Sequence, residues 1–331
     1  MEHVLIKPDD FHIHLRQGKE LVNYARDASK SFARVLAMPN TIPPVTSPED
    51  IKRYASHIKK AAPSLDLIPV FKIMPDMKEQ DITLLKKAGA IAGKYYPRGA
   101  TTNAEDGAKD VESVFPALAA MEKIGLVLCF HGEEPSASVL DRERAFFPVV
   151  EKIHKNFPSL KMVFEHVSDK ATIDFVHSFP DNIMAATVTL HHLLFTLDDL
   201  MGGGLNPHLF CKPVVKTKAD RDAIREVVFS GNSRFFFGSD SAPHNMEKKL
   251  AGAAGVYTAP YAVEALATLF YNNGVLEKLE GFTSVYGADF YGLPRNKGTI
   301  CLVRREWIVP EKYGDIVSAC SGMKLEWKIS Q

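Results

Sequence analysis

Asp10-Phe11-His12-Ile13-His14-Leu15-Arg16, close to the start of a 331-residue chain, sets two histidines two positions apart among apolar neighbours. On a strand, alternate side chains share a face, so His12 and His14 point one way and Phe11, Ile13 and Leu15 the other. Two imidazoles aimed at one point make half a metal site. Arg16 continues their face and puts a fixed cation beside it, suited to an anionic substrate group. The plainer reading is a chance pair on an ordinary buried strand, so the decision rests on whether further ligands recur along the chain.

Outward from this stretch, short apolar runs rich in β-branched and aromatic residues predict strands at 11–15, 34–38, 65–73, 90–96, 126–130, 161–166, 182–189 and 234–238. Segments of helical period lie between them, as in Val111, Val114, Leu118 and Met121, or the stretch after Asp169, a candidate cap. Eight near-continuous apolar strands alternating with helices predict an α/β fold, a (β/α)8 TIM barrel. The alternative, a doubly wound open sheet, is weakened by the lack of a Gly-x-Gly-x-x-Gly turn after the first strand. The barrel is expected over about 9–280 of a single domain, closed by a helix over 260–272. A short C-terminal appendage is expected over about 281–331.

The polar residues fall at strand ends, where barrels of this kind carry their chemistry. His12, His14, Asn40, Lys94, His131, His166, His192 and Asp240 each lie in or just after a predicted strand. His131 and His166 both close apolar runs, where an unpartnered imidazole would be costly and a ligand or hydrogen bond must satisfy it. Asp240, in Gly238-Ser239-Asp240-Ser241-Ala242-Pro243-His244, reads either as a turn cap or as a carboxylate that stays ionised beside a metal and shuttles protons. Lys94 inside an apolar strand reads either as an outward-facing lysine or as a neutral amine able to add carbon dioxide and become an anionic carbamate.

Composition narrows the function. Hydrophobic residues make up 46% and charged residues 24%, ordinary for a globular chain, and 40 basic residues cancel 40 acidic ones. No global field attracts nucleic acid or anionic lipid. No run approaches the roughly 18 apolar residues of a membrane span. The start, Met1-Glu2-His3-Val4-Leu5, lacks the basic and apolar regions of a secretion signal, so a cytoplasmic location is expected. Cys129, Cys211, Cys301 and Cys320 are widely spaced and predict free thiols, not a zinc ribbon or a disulfide framework.

The segments 8–16, Met38-Pro39-Asn40, Lys94-Tyr95-Tyr96-Pro97, Ala100-Thr101-Thr102-Asn103, Phe164-Glu165-His166, 238–244 and Tyr291-Gly292-Leu293-Pro294 resemble the dihydroorotases, in their shorter stand-alone bacterial form within the amidohydrolase superfamily. The resemblance covers nearly the whole chain. It implies two zinc ions at the barrel mouth, His12, His14 and Asp240 on one and His131 and His166 on the other, bridged by carboxylated Lys94 (N6-carboxylysine) and a hydroxide. It implies the reversible cyclisation of N-carbamoyl-L-aspartate to L-dihydroorotate in pyrimidine biosynthesis, with the hydroxide attacking the ring amide and Asp240 as general base and acid. Arg16, Asn40 and His244 would grip the substrate carboxylate, and Thr101 and Thr102 would reach the substrate from a mobile lid. Lys212 and Ala254 would lie where the family makes backbone contacts. A homodimer is also implied.

Some positions depart from the family pattern. His191 stands where glutamine is common and Lys212 where leucine is, and the loop around 251–254 lacks the cysteines of some relatives. Thr102 followed by Glu105 also fits a helix-starting capping box. Two other functions fit the same residues: a hydantoinase or dihydropyrimidinase, which needs no substrate carboxylate, and a non-catalytic scaffold, disfavoured by a full set of six ligands.

Overall fold

The computed structural model describes residues 1–330. Eight parallel strands form its centre: Asp9–Ile13, Arg34–Ala37, the pair Asp66–Ile68 and Val70–Lys72, Ala92–Tyr95, Val127–Phe130, Met162–Phe164, Met184–Val188 and Phe235–Phe237. Seven of the predicted runs contain one of these strands, and the run 11–15 overlaps the first, which begins two residues earlier at Asp9. The third strand is split at Pro69, which has no amide hydrogen for the ladder. Before it the strand pairs with the second, and after it with the fourth. The eighth strand returns to the first where Asp240 N–H donates to His12 O at 2.8 Å and His14 N–H to Ser241 O at 3.0 Å. A helix follows each strand: Glu20–Ser31, Pro48–Ala61, Glu79–Lys87, Phe115–Ile124, Arg142–Asn156, Lys170–His177, Lys218–Phe229 and Ala262–Asn272. Ser47 with Asp50 and Thr217 with Asp220 form capping boxes that fix two of their starts, and Asp169 caps a third through the amide of Ala171. This is the (β/α)8 barrel.

The apolar residues sort into two layers. Strand residues such as Val35, Leu128, Phe164 and Phe237 pack outward against the helices. Leu36, Val70, Val127, Val163 and Phe236 fill the barrel interior. Phe11 belongs to the interior layer, not to the outward face expected for it with Ile13 and Leu15. The cause is local: pairing of the first and second strands shifts register between Asp10 and Ile13, which breaks strict alternation. The first strand also ends at Ile13, so His14 and Arg16 stand on the loop that leaves it.

The helix Tyr286–Tyr291 closes the bottom of the barrel. Tyr291 stacks on Phe11 with ring centroids 5.1 Å apart, and its hydroxyl lies 3.0 Å from Cys129 Sγ. Farther along, Thr299–Ile308 pairs antiparallel with Lys324–Ile329 on one side and with the N-terminal strand Glu2–Ile6 on the other. The strand Glu2–Ile6 lies outside the eight predicted runs. The three-stranded sheet packs on Ala262–Asn272 through fully buried Trp327, edge-on to Tyr271 at 5.5 Å. All four cysteines are free thiols.

Candidate metal centre and active site

At the C-terminal ends of the strands the predicted ligands converge. Asp240 Oδ1 lies 3.3 Å from His12 Nε2 and 3.2 Å from His14 Nε2. His131 Nδ1 lies 3.1 Å from His166 Nε2. The ring of His166 sits 5.0 Å from that of His12, which joins the two halves. Lys94, fully buried on the fourth strand, points its Nζ into the same space.

Backbone strain marks the site. Of the four non-glycine residues with positive φ among the described residues, three belong to it: Arg16 at 58°, His166 at 45° and Asp240 at 43°. Such conformations persist where surrounding bonds over-determine them. For Asp240 those bonds run through Asp10, whose Oδ1 accepts the amide hydrogens of His12 at 3.1 Å and Ser239 at 2.8 Å. His166 is held by its own N–H, which donates to Thr187 Oγ1 at 2.7 Å.

The electrostatics suit a cation-binding site. Burial pushes His14 down to about 4 and His12 and His166 below their ordinary value, so these imidazoles are neutral, the form that ligates metal. Burial would raise Asp240, but its contacts with His12 and its hydrogen bond with His14 outweigh it and hold the carboxylate well below its ordinary range. Burial lowers Lys94 to about 7, toward the free amine. His166 Nδ1 is buried with no hydrogen-bond partner, and the buried His12 Nδ1, Lys94 Nζ and both Glu165 oxygens face only one another without hydrogen-bond geometry. Two overlapping groups, His12 with His14 and Asp240 and His12 with Glu165 and His166, each hold their ligand atoms within 4.8 Å of one another, and this gathering of neutral imidazoles and carboxylates fits a metal centre.

Sequence reasoning passed over several members of this centre. Glu165 Oε1 lies 3.1 Å from His12 Nδ1, with Oε2 against Lys94 Nζ. Glu133 Oε2 lies 2.7 Å from His131 Nε2. Carboxylates behind ligand imidazoles orient the rings and set their tautomers. The available signal was an ionisable residue inside or directly after an apolar run, next to a histidine.

The cavity above the ligands is lined by Arg16, Tyr96, Thr101, Thr102, Lys212 and Ala254, together with the metal-site side chains. Arg16 Nη2 lies 3.0 Å from His244 Nε2 at its rim. Asn40 is placed differently: its Nδ2 donates to Thr102 O at 2.9 Å, and it does not line the cavity. No helix starts at Thr102; residues 98–109 form a turn-rich loop, since Asn103 at φ 56° departs from helical geometry. His191, His192 and Cys211 also cluster. There His192 spends its ring nitrogens on Thr189 and Pro213, and Cys211 donates to Pro213 O. Both nitrogens of His191 are buried without a partner.

Fold and site together define a barrel hydrolase of the amidohydrolase class. The model of the amidohydrolase family matches residues 5–309. A dihydroorotase of Teredinibacter turnerae is 40% identical over 339 aligned positions, covering 99% of this chain and 98% of the relative. The crystal structure of a dihydroorotase from Campylobacter jejuni superposes with a TM-score of 0.93 at 36% identity, covering 100% of this chain and 98% of that one. The Saccharomyces cerevisiae dihydroorotase in complex with 5-fluoroorotic acid gives 0.93 at 32%, covering 99% and 98%. The chain belongs to the dihydroorotase branch of the amidohydrolase family. No helix among the described residues is long and apolar enough to cross a membrane.

Proposed function

We propose that this chain catalyses the reversible cyclisation of N-carbamoyl-L-aspartate to L-dihydroorotate, acting in the reverse direction as a cyclic amide hydrolase. The observation that carries this reading is the pairing of a six-residue metal constellation with an arginine–histidine clamp at its rim. His12, His14, His131, His166, Asp240 and carboxylated Lys94 would hold two zinc ions. Such a metal pair, when bound, supplies Lewis-acid activation of the amide carbonyl and of the attacking water.

The protein's own groups do the rest. Asp240 is the carboxylate placed to take the proton of the attacking water and return it to the ring nitrogen as the C–N bond breaks. Arg16 offers a charge-assisted contact for the substrate carboxylate, and His244 orients the guanidinium. Thr101 and Thr102 cover the cavity, and Lys212 and Ala254 line its wall. Asn40 contributes through the covering loop in the arrangement seen here. The family likeness further supports a homodimer working in the cytoplasm on a small-molecule substrate.

The test is metal content per chain measured together with dihydroorotate hydrolysis and its reverse, before and after chelation. About two zinc per chain, with activity lost to the chelator and restored by metal, is the expected result. Metal without turnover of dihydroorotate, but with turnover of a carboxylate-free ring, would move the substrate to a hydantoin or dihydropyrimidine.

A further inference from the structure

The loop over the cavity is almost self-contained. Arg98 N–H donates to Ala108 O at 3.1 Å, Gly99 N–H to Ala104 O at 2.9 Å and Gly107 N–H to Ala104 O at 3.0 Å. These bonds shape the loop but do not hold it down. At the base of the loop Ala100 N–H donates to Pro97 O at 3.1 Å and Arg98 Nε to Gly107 O at 3.2 Å. Among the described residues, every other hydrogen bond from 99–107 to more distant parts of the chain ends on Asn40 or Lys72. Asn40 gives Nδ2 to Thr102 O and receives Asn103 Nδ2 on its own carbonyl, both at 2.9 Å. Lys72 Nζ donates to Asn103 O at 2.9 Å and pairs with the Asp106 carboxylate.

Lys72 ends the third strand, in register with Lys94, yet it does not line the cavity and is 1% exposed. A lysine is buried to that degree only when its charge is paired. Both hydrogen-bond partners of its ammonium belong to the loop, with the Tyr96 ring 5.8 Å away on the other side, so the loop is what satisfies its charge. Lifting the loop would return the ammonium to water, which solvates it, so the closed and open forms are separated by modest free energy. Thr101 and Thr102 line the cavity in this arrangement of the loop.

We propose that Lys72 is a positioning residue that latches this loop over the bound substrate, acting on how tightly substrate is held and not on bond breaking. The identity of that substrate rests on the function proposed above; the latch itself does not.

The experiment uses the metal-loaded full chain, with Lys72→Met to remove the donor while keeping the stem, and Asp106→Asn to weaken the same contact from the loop side. The Asp106 side chain is 47% exposed, so the second variant keeps the fold. Hydrogen exchange of residues 99–107 is followed without substrate, alongside metal content and steady-state kinetics. Losing a hydrogen bond to a charged group costs about 1.5–3 kcal/mol, so exchange at these amides should accelerate roughly ten- to a hundredfold in Lys72→Met. Asp106→Asn should move it the same way by less. Metal content should stay unchanged, and KM for dihydroorotate should rise about tenfold, with kcat within about threefold. Unchanged loop exchange in both variants would overturn the latch, as would a fall in kcat at constant KM. A parent enzyme that bound metal but did not turn over dihydroorotate would remove the substrate reading, and loop exchange would still decide the latch. If Lys72→Met failed to fold, Asp106→Asn would decide it.

Discussion

Arg16 donates from Nη2 to Nε2 of His244 across 3.0 Å, which requires that nitrogen to carry no proton. Burial, reinforced by the Arg16 charge, pushes the His244 imidazole down to about 3, so it is a neutral acceptor at any working pH. Arg16→Met should lower kcat/KM for dihydroorotate by about a hundredfold or more, since truncating one partner of a buried charge pair costs roughly 2–5 kcal/mol. Most of the loss should fall in KM. Turnover of a ring without a carboxylate should not suffer in proportion. His244 should also add no inflection near pH 6.5 to the pH profile of kcat/KM.

Asp240→Asn keeps the size of the side chain but removes the proton acceptor. Positioned acid–base groups contribute about 10² to 10⁴ in rate, so kcat should drop by that order in both directions of the reaction. The loss of anionic charge beside His12 and His14 should also weaken metal retention. Elemental analysis after dialysis against a chelator checks this, and unchanged kcat would remove Asp240 from its assigned role.

Asp10 supports that carboxylate from below by accepting the amides of His12 and Ser239. Burial raises its pKa to about 7, against the pull of those hydrogen bonds. An asparagine retains the accepting oxygen, so Asp10→Asn should remain folded and metal-loaded. Asp10→Ala leaves two buried amides unpaired at about 1–3 kcal/mol each. Urea unfolding should show a loss of roughly 2–6 kcal/mol, with lower metal content.

Glu264 sits in the last barrel helix, buried, with one oxygen unpartnered. Burial raises it from 4.5 to about 7. A carboxyl raised in the folded state binds its proton more tightly there than in the unfolded chain. Its contribution is therefore most favourable below pH 4.5, declines as pH rises from 4.5 to 7, and is constant above that. The full penalty is roughly 3 kcal/mol. Glu264→Gln should stabilise the chain at pH 8 by up to that amount and progressively less toward pH 5, as read from urea midpoints at the two pH values.

The barrel floor allows a steric test. A Cβ placed on Gly287 would lie 2.3 Å from the ring of Phe11, which is itself stacked on Tyr291. Gly287→Ala must displace that ring and should cost about 1–3 kcal/mol, as overpacking typically does. Phe11 adjoins His12, so metal content should fall along with thermal stability.

Much of this protein was legible before its fold. Strands buried on both faces have to be apolar runs, so eight of them could be counted, and charged or imidazole side chains at their ends stood out as exceptions needing a partner. His12, His14, Lys94, His131, His166 and Asp240 were all found that way or by family likeness. What the sequence alone could not supply was pairing between distant segments. Asp10 meets Ser239, Asn40 meets Thr102, Lys72 meets Asp106, and the N-terminal strand meets residues 299–303, only because the closed barrel brings strand ends and chain ends together. Periodicity reports which face a side chain takes along one element and is silent on which element lies opposite. It failed even locally at Phe11, where a register shift broke the alternation. The candidate ligands are thus written in the chain as residue types, whereas the setting of His12, His14 and Asp240 depends on hydrogen bonds that exist only after the first and eighth strands have met.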